Sequence, residues 1–287
     1  MTARAFPRVG LVGLGDLGGP MVHRLLDRGV PVHVWARRVA ATEPFAARGA
    51  KVAASLDSMA EACDVVGVCV SDDAATQEVA RVVLDHLPAG GVLAVHATVS
   101  PETCCDLKDG LRPEVDVVDA PVSGGPAAAS TGRLAILVGG ERAAVDQCRP
   151  VFDHWARFVR HLGPLGSGQK AKLINNALFS AHAALAVEAL EIAEAAGLAR
   201  EVFAEVLAAS SGHSRAQRSL VRLGDPDHRV RIASLMAKDQ RLFDELATAC
   251  GGGVSALGAG HTFIEELKRL LAGGMGTPPW AVAIDDG

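Results

Sequence analysis

A glycine-rich turn near the start of the chain constrains the fold more than any other feature. It reads Gly13-Leu14-Gly15-Asp16-Leu17-Gly18, directly after a short apolar run and before a helical pattern over residues 21–28. In a strand–turn–helix unit the first Gly makes a tight turn, the second lets the backbone approach a pyrophosphate, and the third lets helix and strand pack closely. The helix N-terminus then offers N–H groups to phosphates. The turn predicts a dinucleotide site, with the Asp16 side chain directed to solvent.

Apolar runs typical of strands alternate with helical patterns as far as about residue 164. Strands alternating with helices predict crossover units, and hence a parallel sheet with helices on both faces. The predicted strands after the first are Val32–Trp35, Val65–Val70, Val92–Ala97, Asp116–Ala120 and Leu134–Val138.

The composition then changes to helix formers. From Gly168 to about Gly197 apolar residues lie nearly all round one predicted helix, which is roughly 40 Å long. We expect this helix to link two domains and to pack against a partner subunit. Further helical periods cover Glu201–Ala209, Ser234–Thr248 and His261–Ala272. The predicted fold is α/β: a Rossmann-type doubly wound parallel sheet in residues 1–164, followed by an all-α domain for substrate binding and dimerisation in residues 165–287.

Composition excludes several classes of protein. The chain has 287 residues, 49% hydrophobic and 21% charged, as in folded globular proteins. A net charge of -5, only 4% aromatic residues and no Tyr argue against binding to nucleic acid or an anionic membrane. The six cysteines show no paired zinc spacing, and the histidines show no metal motif. No apolar run of membrane-spanning length and no export signal are recognised, so we expect a reduced, cytoplasmic protein without metal.

Two arginines follow the second predicted strand, where an NAD-preferring site is expected to show Asp or Glu on the ribose hydroxyls. The chain has Trp35-Ala36-Arg37-Arg38 there, with no carboxylate. Guanidinium groups pair bidentately with phosphate, so Arg37 and Arg38 favour NADP(H), with NAD(H) as the alternative cofactor. Both arginines would otherwise be solvated loop residues.

Three later segments, together with the glycine turn, resemble the β-hydroxyacid dehydrogenase family over nearly the whole chain. This family includes 3-hydroxyisobutyrate, tartronate semialdehyde, glyoxylate/succinic semialdehyde and 6-phosphogluconate enzymes. The segments are Asp119-Ala-Pro-Val-Ser-Gly-Gly125 with the following Gly132-Arg-Leu and Val138-Gly-Gly140, then Gly166-Ser-Gly168-Gln-Lys-Ala-Lys172-Leu-Ile-Asn175-Asn176, and Lys238-Asp239.

The residues of these segments make chemical sense by themselves. Lys172 and Asn176 are four apart on one helix face, so both side chains can reach one ligand. A lysine in a dry cleft can exchange a proton with a substrate hydroxyl while a hydride moves between carbon and nicotinamide. Ser123-Gly124-Gly125 offers a hydroxyl and approachable N–H groups to a carboxylate.

The resemblance implies a role for each matching residue. It makes Lys172 the general acid/base and Asn176 its orienting partner, and it places Ser123 on the reacting hydroxyl. It implies that Ser123, Gly124, Gly125, Lys172, Asn176 and Asp239 bind substrate. It also implies that Gly13–Gly18, Thr98 and Lys238 contact the cofactor. Val70 and Ser71 end a predicted strand that faces the same crevice, and they are further candidates for binding the cofactor. Ala97 stands where the family has a first Ser or Thr, so one hydrogen bond is expected to be missing.

The segment before Lys238 departs from the family because it lacks an aromatic residue. Arg229 or Arg231 could there hold a second acidic group of the substrate, or simply face water. His213 is a further candidate for the pocket, although a lone histidine is more often a plain surface or core residue.

The sequence therefore predicts an NADPH-preferring oxidoreductase that interconverts a small β-hydroxy acid and its semialdehyde, acting as a homodimer or homotetramer. An imine reductase is one alternative, although such enzymes usually carry Asp or Tyr at the position of Lys172. A non-catalytic dinucleotide-binding scaffold is the other, although such a protein would be expected to lose the lysine.

Overall fold

The computed structural model describes residues 6–109, 111–220, 226–252 and 257–272, and the side chains of residues 220, 226–231, 266 and 270–272 fall outside this description. The strands are β1 (Val9–Val12), β2 (Val32–Trp35), β3 (Lys51–Val52), β4 (Val65–Val68), β5 (Val92–Val95), β6 (Asp116–Asp119), β7 (Val122–Ser123), β8 (Leu134–Gly139) and β9 (Ala156–Gly163). The helices are α1 (Gly18–Asp27), α2 (Glu43–Ala46), α3 (Leu56–Glu61), α4 (Asp73–His86), α5 (Pro101–Asp106), α6 (Gly125–Thr131), α7 (Arg142–Trp155), α8 (Ser167–Ala195), α9 (Arg200–Ala209), α10 (Arg215–Leu220), α11 (Pro226–Ala249) and α12 (Ala259–Ala272).

The strands form one sheet in the order β3-β2-β1-β4-β5-β6-β8-β7, with β9 paired to β8. Strands β1 to β6 are all parallel, with Val9 paired to Val32 on one side and to Val65 on the other. Every residue of β1, β4 and β5 is buried. Continuous apolar strands of this kind need helices on both faces of the sheet. The doubly wound parallel sheet is confirmed.

The end of the sheet differs from the purely parallel arrangement that the alternation predicts. Strand β8 runs antiparallel to β6, at Asp119 opposite Gly139, and antiparallel to β7, at Val122 opposite Ile136. Only the seven-residue α6 lies between β7 and β8, so the chain returns beside them without a long crossover. Strand β9 follows the longer α7 and is again parallel to β8. Hydrophobic patterning predicts a strand but not its direction.

Helices cover the two faces of the sheet with separate apolar cores. On one face Met21 and Leu25 of α1 pack with Phe152 and Trp155 of α7. The other face packs against α3, α4 and α5, represented by Met59, Val83 and Cys104. Burial of large side chains on both faces contributes about 1.5–3 kcal/mol for each, which makes the sheet a stable platform for the loops at its edge.

The chain divides into two compact units, Met1–Lys172 and Leu173–Gly287, and the division falls inside α8. The second unit is built of helices, as predicted. Within its described part, three clusters of buried apolar residues stabilise this unit. Helix α8 contributes Val187 to the first, Leu173 to the second and Leu190 to the third. The predicted domain boundary at residue 164 stays a prediction.

Among the helices of the described residues, α8 is the one whose length and composition alone would allow it to cross a membrane. The core helices of soluble proteins meet the same criterion, and α8 buries Leu173, Ala177, Ala181, Ala183, Val187 and Leu190 inside the protein. All six cysteines are at described positions and are free thiols. Burial raises the pKa of Cys63 and Cys69 to about 12, so both are neutral thiols at physiological pH.

Candidate active site

The candidate residues of the first unit follow the carboxyl ends of the parallel strands. The glycine turn follows β1, Arg37 and Arg38 follow β2, Ser71 follows β4, Thr98 follows β5, and Ser123 follows β6. Because β1 lies between β2 and β4 in the sheet, chain order reverses there. Ligands of open α/β sheets bind outside the carboxyl ends of the strands, at this reversal. The fold thus brings these predicted residues to one edge of one sheet.

The three glycines of the turn differ in how closely the protein packs around them. Gly13 has a φ of 91°, and a Cβ there would overlap the carbonyl oxygen of Cys69. A Cβ on Gly18 would overlap the carbonyl oxygen of Gly13, so this position keeps helix and turn close. A Cβ on Gly15, in contrast, would meet no described protein atom within 4 Å. Internal packing therefore demands Gly13 and Gly18, whereas Gly15 borders open space.

Helix α1 begins at this turn, where the Gly18 amide hydrogen-bonds the Cys69 thiol and the Gly19 amide donates to the Gly15 carbonyl over 2.9 Å. Leu17 at its N-cap makes no side-chain hydrogen bond, and no acidic residue lies in its first turn. The positive end of the helix dipole can therefore act on an incoming phosphate. Asp16 is exposed, as expected from the sequence. The residues present fit the pyrophosphate of a dinucleotide.

Arg37 and Arg38 lie in the bend after β2, and both are exposed. No Asp or Glu occurs between Trp35 and Thr42. The segment after β2 therefore carries two exposed positive charges and no local carboxylate.

The remaining loops of the first unit are ordered by local hydrogen bonds. The Ser71 hydroxyl donates to Asp72 over 2.7 Å, and Asp72 in turn caps α4 by accepting from the Ala75 amide over 2.9 Å. Ser123 is half-buried at the end of β7, opposite Ala135 of β8. Gly124 and Gly125 follow with φ values of 140° and 75°, conformations that favour glycine. The backbone after Ser123 is thus held in conformations that L side chains rarely adopt.

Two buried residues that sequence reasoning did not single out fasten these loops to α8. Asp119 and Gln169 both have an exposed fraction of 0%. The carboxylate of Asp119 accepts from the Gly166 amide over 2.8 Å and from the Gln169 amide over 2.7 Å. The Gln169 side chain donates to the Ala97 carbonyl over 2.8 Å and accepts from the Val99 amide over 3.2 Å. Asp119 begins the segment 119–125 and Gln169 lies in the segment 166–176. Membership of these two motifs was the sequence signal that could have identified them.

Burial raises the pKa of the Asp119 carboxyl, and the backbone amides of residues 166, 168 and 169 oppose that rise. Those amides also belong to the start of α8, whose dipole favours a negative charge. A carboxylate in this place satisfies N–H groups that a helix leaves without an internal partner.

Lys172 lies one turn after this anchor and is half-buried, while the neighbouring Lys170 is exposed. Asn176 follows four positions later on the same helix. In the second unit the Asn176 amide donates to Asp239 over 2.7 Å, and the Lys238 ammonium lies 3.1 Å from the other Asp239 oxygen. The exposed fractions of the Lys238 and Asp239 side chains are 17% and 13%. The Lys238–Asp239 pair is therefore sheltered, unlike the solvated pair that a lone Lys-Asp sequence indicates.

The other sequence candidates take different positions. His213 is exposed, and its pocket role stays a prediction. Arg229 and Arg231 lie outside the side chains that the structure describes. Among the described residues no group of three His, Cys, Asp or Glu side chains could hold a metal ion. His96 is buried beneath the site with Nδ1 2.8 Å from the Ala120 carbonyl oxygen, and burial lowers its pKa to about 4.

Comparison with protein families agrees with this geometry. Residues 8–163 match the NAD binding domain of 6-phosphogluconate dehydrogenase. Residues 166–277 match the NAD-binding domain of NADP-dependent 3-hydroxyisobutyrate dehydrogenase. The chain therefore belongs to the β-hydroxyacid dehydrogenase family of NAD(P)-dependent oxidoreductases.

Individual relatives place it within that family. The chain is 33% identical to an NAD-dependent L-serine dehydrogenase of Pseudomonas aeruginosa over 258 residues, which cover 84% of this chain and 86% of the relative. It is 41% identical to an uncharacterized oxidoreductase of Mycobacterium tuberculosis over 196 residues, which span 67% of this chain and 66% of the relative.

Solved structures share the fold. A Mycobacterium tuberculosis 3-hydroxyisobutyrate dehydrogenase with L-serine has a TM-score of 0.79 at 23% identity, covering 97% of this chain and 98% of that one. An imine reductase from Pseudomonas sp. has a TM-score of 0.62 at 18% identity, covering 96% and 98%. At these identities the likeness is one of fold alone.

Proposed function

We propose that the protein interconverts a small β-hydroxy acid and its semialdehyde by hydride transfer with NADP(H), using Lys172 as general acid/base. One observation carries the proposal. Lys172 lies one turn into α8, and the start of α8 is hydrogen-bonded to the strand ends that hold the predicted cofactor and substrate loops. A proton donor is thereby held beside the edge of the sheet where a dinucleotide is expected to bind.

Each residue has a defined task in this proposal. When bound, a nicotinamide cofactor would supply or accept the hydride at the substrate carbon. In the direction of reduction, the Lys172 ammonium gives a proton to the alkoxide oxygen as it forms, and in oxidation the neutral amine takes that proton back. Ser123 holds the reacting oxygen, and the backbone of Gly124 and Gly125 holds the substrate carboxylate. Asn176 orients the same oxygen from the second turn of the helix.

The preference for NADP(H) rests on Arg37 and Arg38, because two exposed guanidinium groups without a local carboxylate suit a 2′-phosphate. The relative from Pseudomonas aeruginosa is named for NAD, which makes NADH the cofactor to compare with NADPH. We also propose a cytoplasmic protein that acts on small acidic molecules, with α8 joining subunits in a homodimer or homotetramer.

A matched pair of variants tests the role of Lys172. Lys172→Ala should lower kcat by about 100-fold to 10,000-fold, the range expected for loss of a general acid. NADPH affinity, measured by fluorescence titration, should change little. Lys170→Ala removes a lysine two positions away that is exposed, and it should keep wild-type turnover. A Lys172→Ala enzyme with most of its activity would refute the assignment.

A substrate panel tests the reaction class. Nicotinamide absorbance would be followed with glyoxylate and with succinic, methylmalonic and tartronic semialdehydes, and in the reverse direction with L-serine and 3-hydroxyisobutyrate. A sulfonated and a phosphorylated aldehyde would probe for a second acidic group on the substrate. Oxidation of NADPH with one preferred aldehyde is expected. Turnover of a cyclic imine alone would favour the imine reductase, and NADPH binding without any turnover would favour a scaffold.

A further inference from the structure

We infer that Asp119 and Gln169 are positioning residues, which hold Lys172 in register with the cofactor and substrate loops. Neither residue is assigned a contact with substrate, and the inference rests on the proposed role of Lys172. Its basis is a hydrogen-bond network that lies entirely inside the first unit of the chain.

The first part of the network is a carboxylate clamp on α8. Each oxygen of Asp119 accepts one backbone N–H, from Gly166 over 2.8 Å and from Gln169 over 2.7 Å. Asp119 is also the last residue of β6, and the substrate segment around Ser123 follows it directly. The same residue therefore fixes both the position of the helix start and the strand from which the Ser123 loop leaves.

The second part is the Gln169 side chain, which reaches from α8 to the loop after β5. Its amide group pairs with the carbonyl of Ala97 and the N–H of Val99, the two neighbours of Thr98. A primary amide is suited to this task because it presents one donor and one acceptor at the same time. Thr98, a predicted cofactor contact, thus lies in a loop fastened to the helix that carries Lys172.

Backbone atoms pack tightly around the carboxylate of Asp119. A Cβ on Gly139 would overlap Asp119 Oδ1, and a Cβ on Gly168 would lie 2.8 Å from Oδ2 and 3.0 Å from the Asp119 carbonyl oxygen. The carboxylate is therefore enclosed by backbone on two sides. A group held this tightly transmits small displacements directly to α8, and displacement of a catalytic group by about 1 Å can cost a factor of about 100 in rate.

The network also explains why these residue types are needed. Asparagine at position 119 would present its NH₂ group to one of the two backbone N–H donors, so one hydrogen bond would be lost. Glutamate at position 169 would keep the contact with the Val99 amide but would oppose the Ala97 carbonyl with a second acceptor. Each change leaves the size of the side chain almost unaltered, so its effect reports on hydrogen bonding and charge and not on packing.

The test is a double-mutant cycle with Lys172→Ala. Asp119→Asn should lower kcat by about 10-fold to 100-fold, while the Kd for NADPH stays within about threefold. Because the effect of Asp119 passes through Lys172, the Asp119→Asn/Lys172→Ala enzyme should be no slower than Lys172→Ala alone. Gln169→Glu should give the same non-additive kcat effect together with weaker NADPH binding, and it keeps the test open if Asp119→Asn fails to fold.

The control is Ser55→Ala, which removes the N-cap hydrogen bond of α3, a helix without candidate site residues. It should lower the melting temperature and leave kcat unchanged, so a rate effect cannot be attributed to stability alone. Multiplicative rate losses in the double variants would overturn the inference and leave the proposed function intact. An active Lys172→Ala enzyme would overturn the proposed function and this inference with it.

Discussion

Asp239 accepts a hydrogen bond of 2.7 Å from the side-chain amide of Asn176. The same carboxylate lies 3.1 Å from the Lys238 ammonium, and the side-chain amide of Asn175 donates to the side-chain oxygen Oδ1 of Asn176 over 3.1 Å. The orientation of the Asn176 amide is therefore set from both of its ends. Asp239 links the two residues of the second unit that the family resemblance assigns to substrate and cofactor.

Loss of the Asp239 charge should weaken catalysis. Asp239→Asn removes the ion pair with Lys238 and weakens the hold on Asn176, and charge-assisted hydrogen bonds contribute about 1.5–3 kcal/mol. We expect kcat/KM to fall by roughly 10-fold to 100-fold, measured by steady-state kinetics. Asp244→Asn, on the same helix but paired with His261, is the control and should keep wild-type kinetics. Equal effects at the two positions would contradict the role of Asp239.

The preference for NADPH over NADH should depend on Arg37 and Arg38, the two arginines after β2. Arg37→Ala/Arg38→Ala should raise the KM for NADPH by about 100-fold or more and leave the KM for NADH nearly unchanged, because only NADPH carries the 2′-phosphate. Arg157→Ala/Arg160→Ala removes the same charge from exposed positions on β9, at the other end of the sheet. A loss for both cofactors, or for both double variants, would contradict a specific phosphate contact.

The first two glycines of the turn should respond differently to alanine. Gly13→Ala forces a side chain into a φ of 91° and against Cys69, so it should lower the free energy of unfolding by about 1–3 kcal/mol. Gly15→Ala meets no described protein atom, so it should keep stability and weaken NADPH binding by about 10-fold or more. Thermal unfolding and NADPH titration separate the two outcomes. A stable Gly13→Ala protein would show that the turn relaxes.

Buried His96 should make the fold sensitive to mild acid. Burial lowers its folded-state pKa to about 4 from an ordinary value of 6.5. Its contribution to stability is therefore present above pH 6.5 and is lost as pH falls toward the folded-state pKa. Between about pH 7 and about pH 5 the loss is about 2 kcal/mol.

Urea unfolding at the two pH values tests this expectation. His96→Asn can keep the hydrogen bond to Ala120 and has no titrating ring, so its loss of stability between the two pH values should be smaller by about 2 kcal/mol. Equal losses of unfolding free energy in wild type and variant would contradict the expectation. They would show that protonation of the His96 ring does not destabilise the folded protein.

Subunit association should depend on one face of α8. Ile174, Leu178, Leu185 and Ile192 are spaced to lie on the same side, and their exposed fractions are 50%, 44%, 56% and 63%. Leu185→Asp/Ile192→Asp should yield monomers by light scattering, because two carboxylates would enter an apolar interface. Val52→Asp/Phe158→Asp changes exposed apolar residues of the first unit and should keep the oligomer. A monomeric wild-type protein would contradict the prediction.

Local patterns predicted most of the first unit. The positions of β1, β2, β4, β5, β6 and β8, the glycine turn and a long helix from Gly168 agree with the structure because each depends on residues close in sequence, and α8 begins at Ser167. Strands β3, β7 and β9 were not predicted. The antiparallel direction of β8 was not predicted, since periodicity carries no direction. The tasks of Asp119 and Gln169 were also missed, because hydrogen bonds across 47 and 72 residues depend on which loops meet in space.

The hydrogen bonds of Asp119 also affect local opening of the protein and the rate of amide hydrogen exchange. Helix ends ordinarily fray, because the amides of their first turn have no internal acceptors. The Gly166 and Gln169 amides are instead bonded to a carboxylate buried under the sheet edge. Exchange of these two amide protons with solvent therefore requires β6 and the start of α8 to separate. The end of the helix that carries Lys172 should be among the slowest-exchanging parts of the molecule.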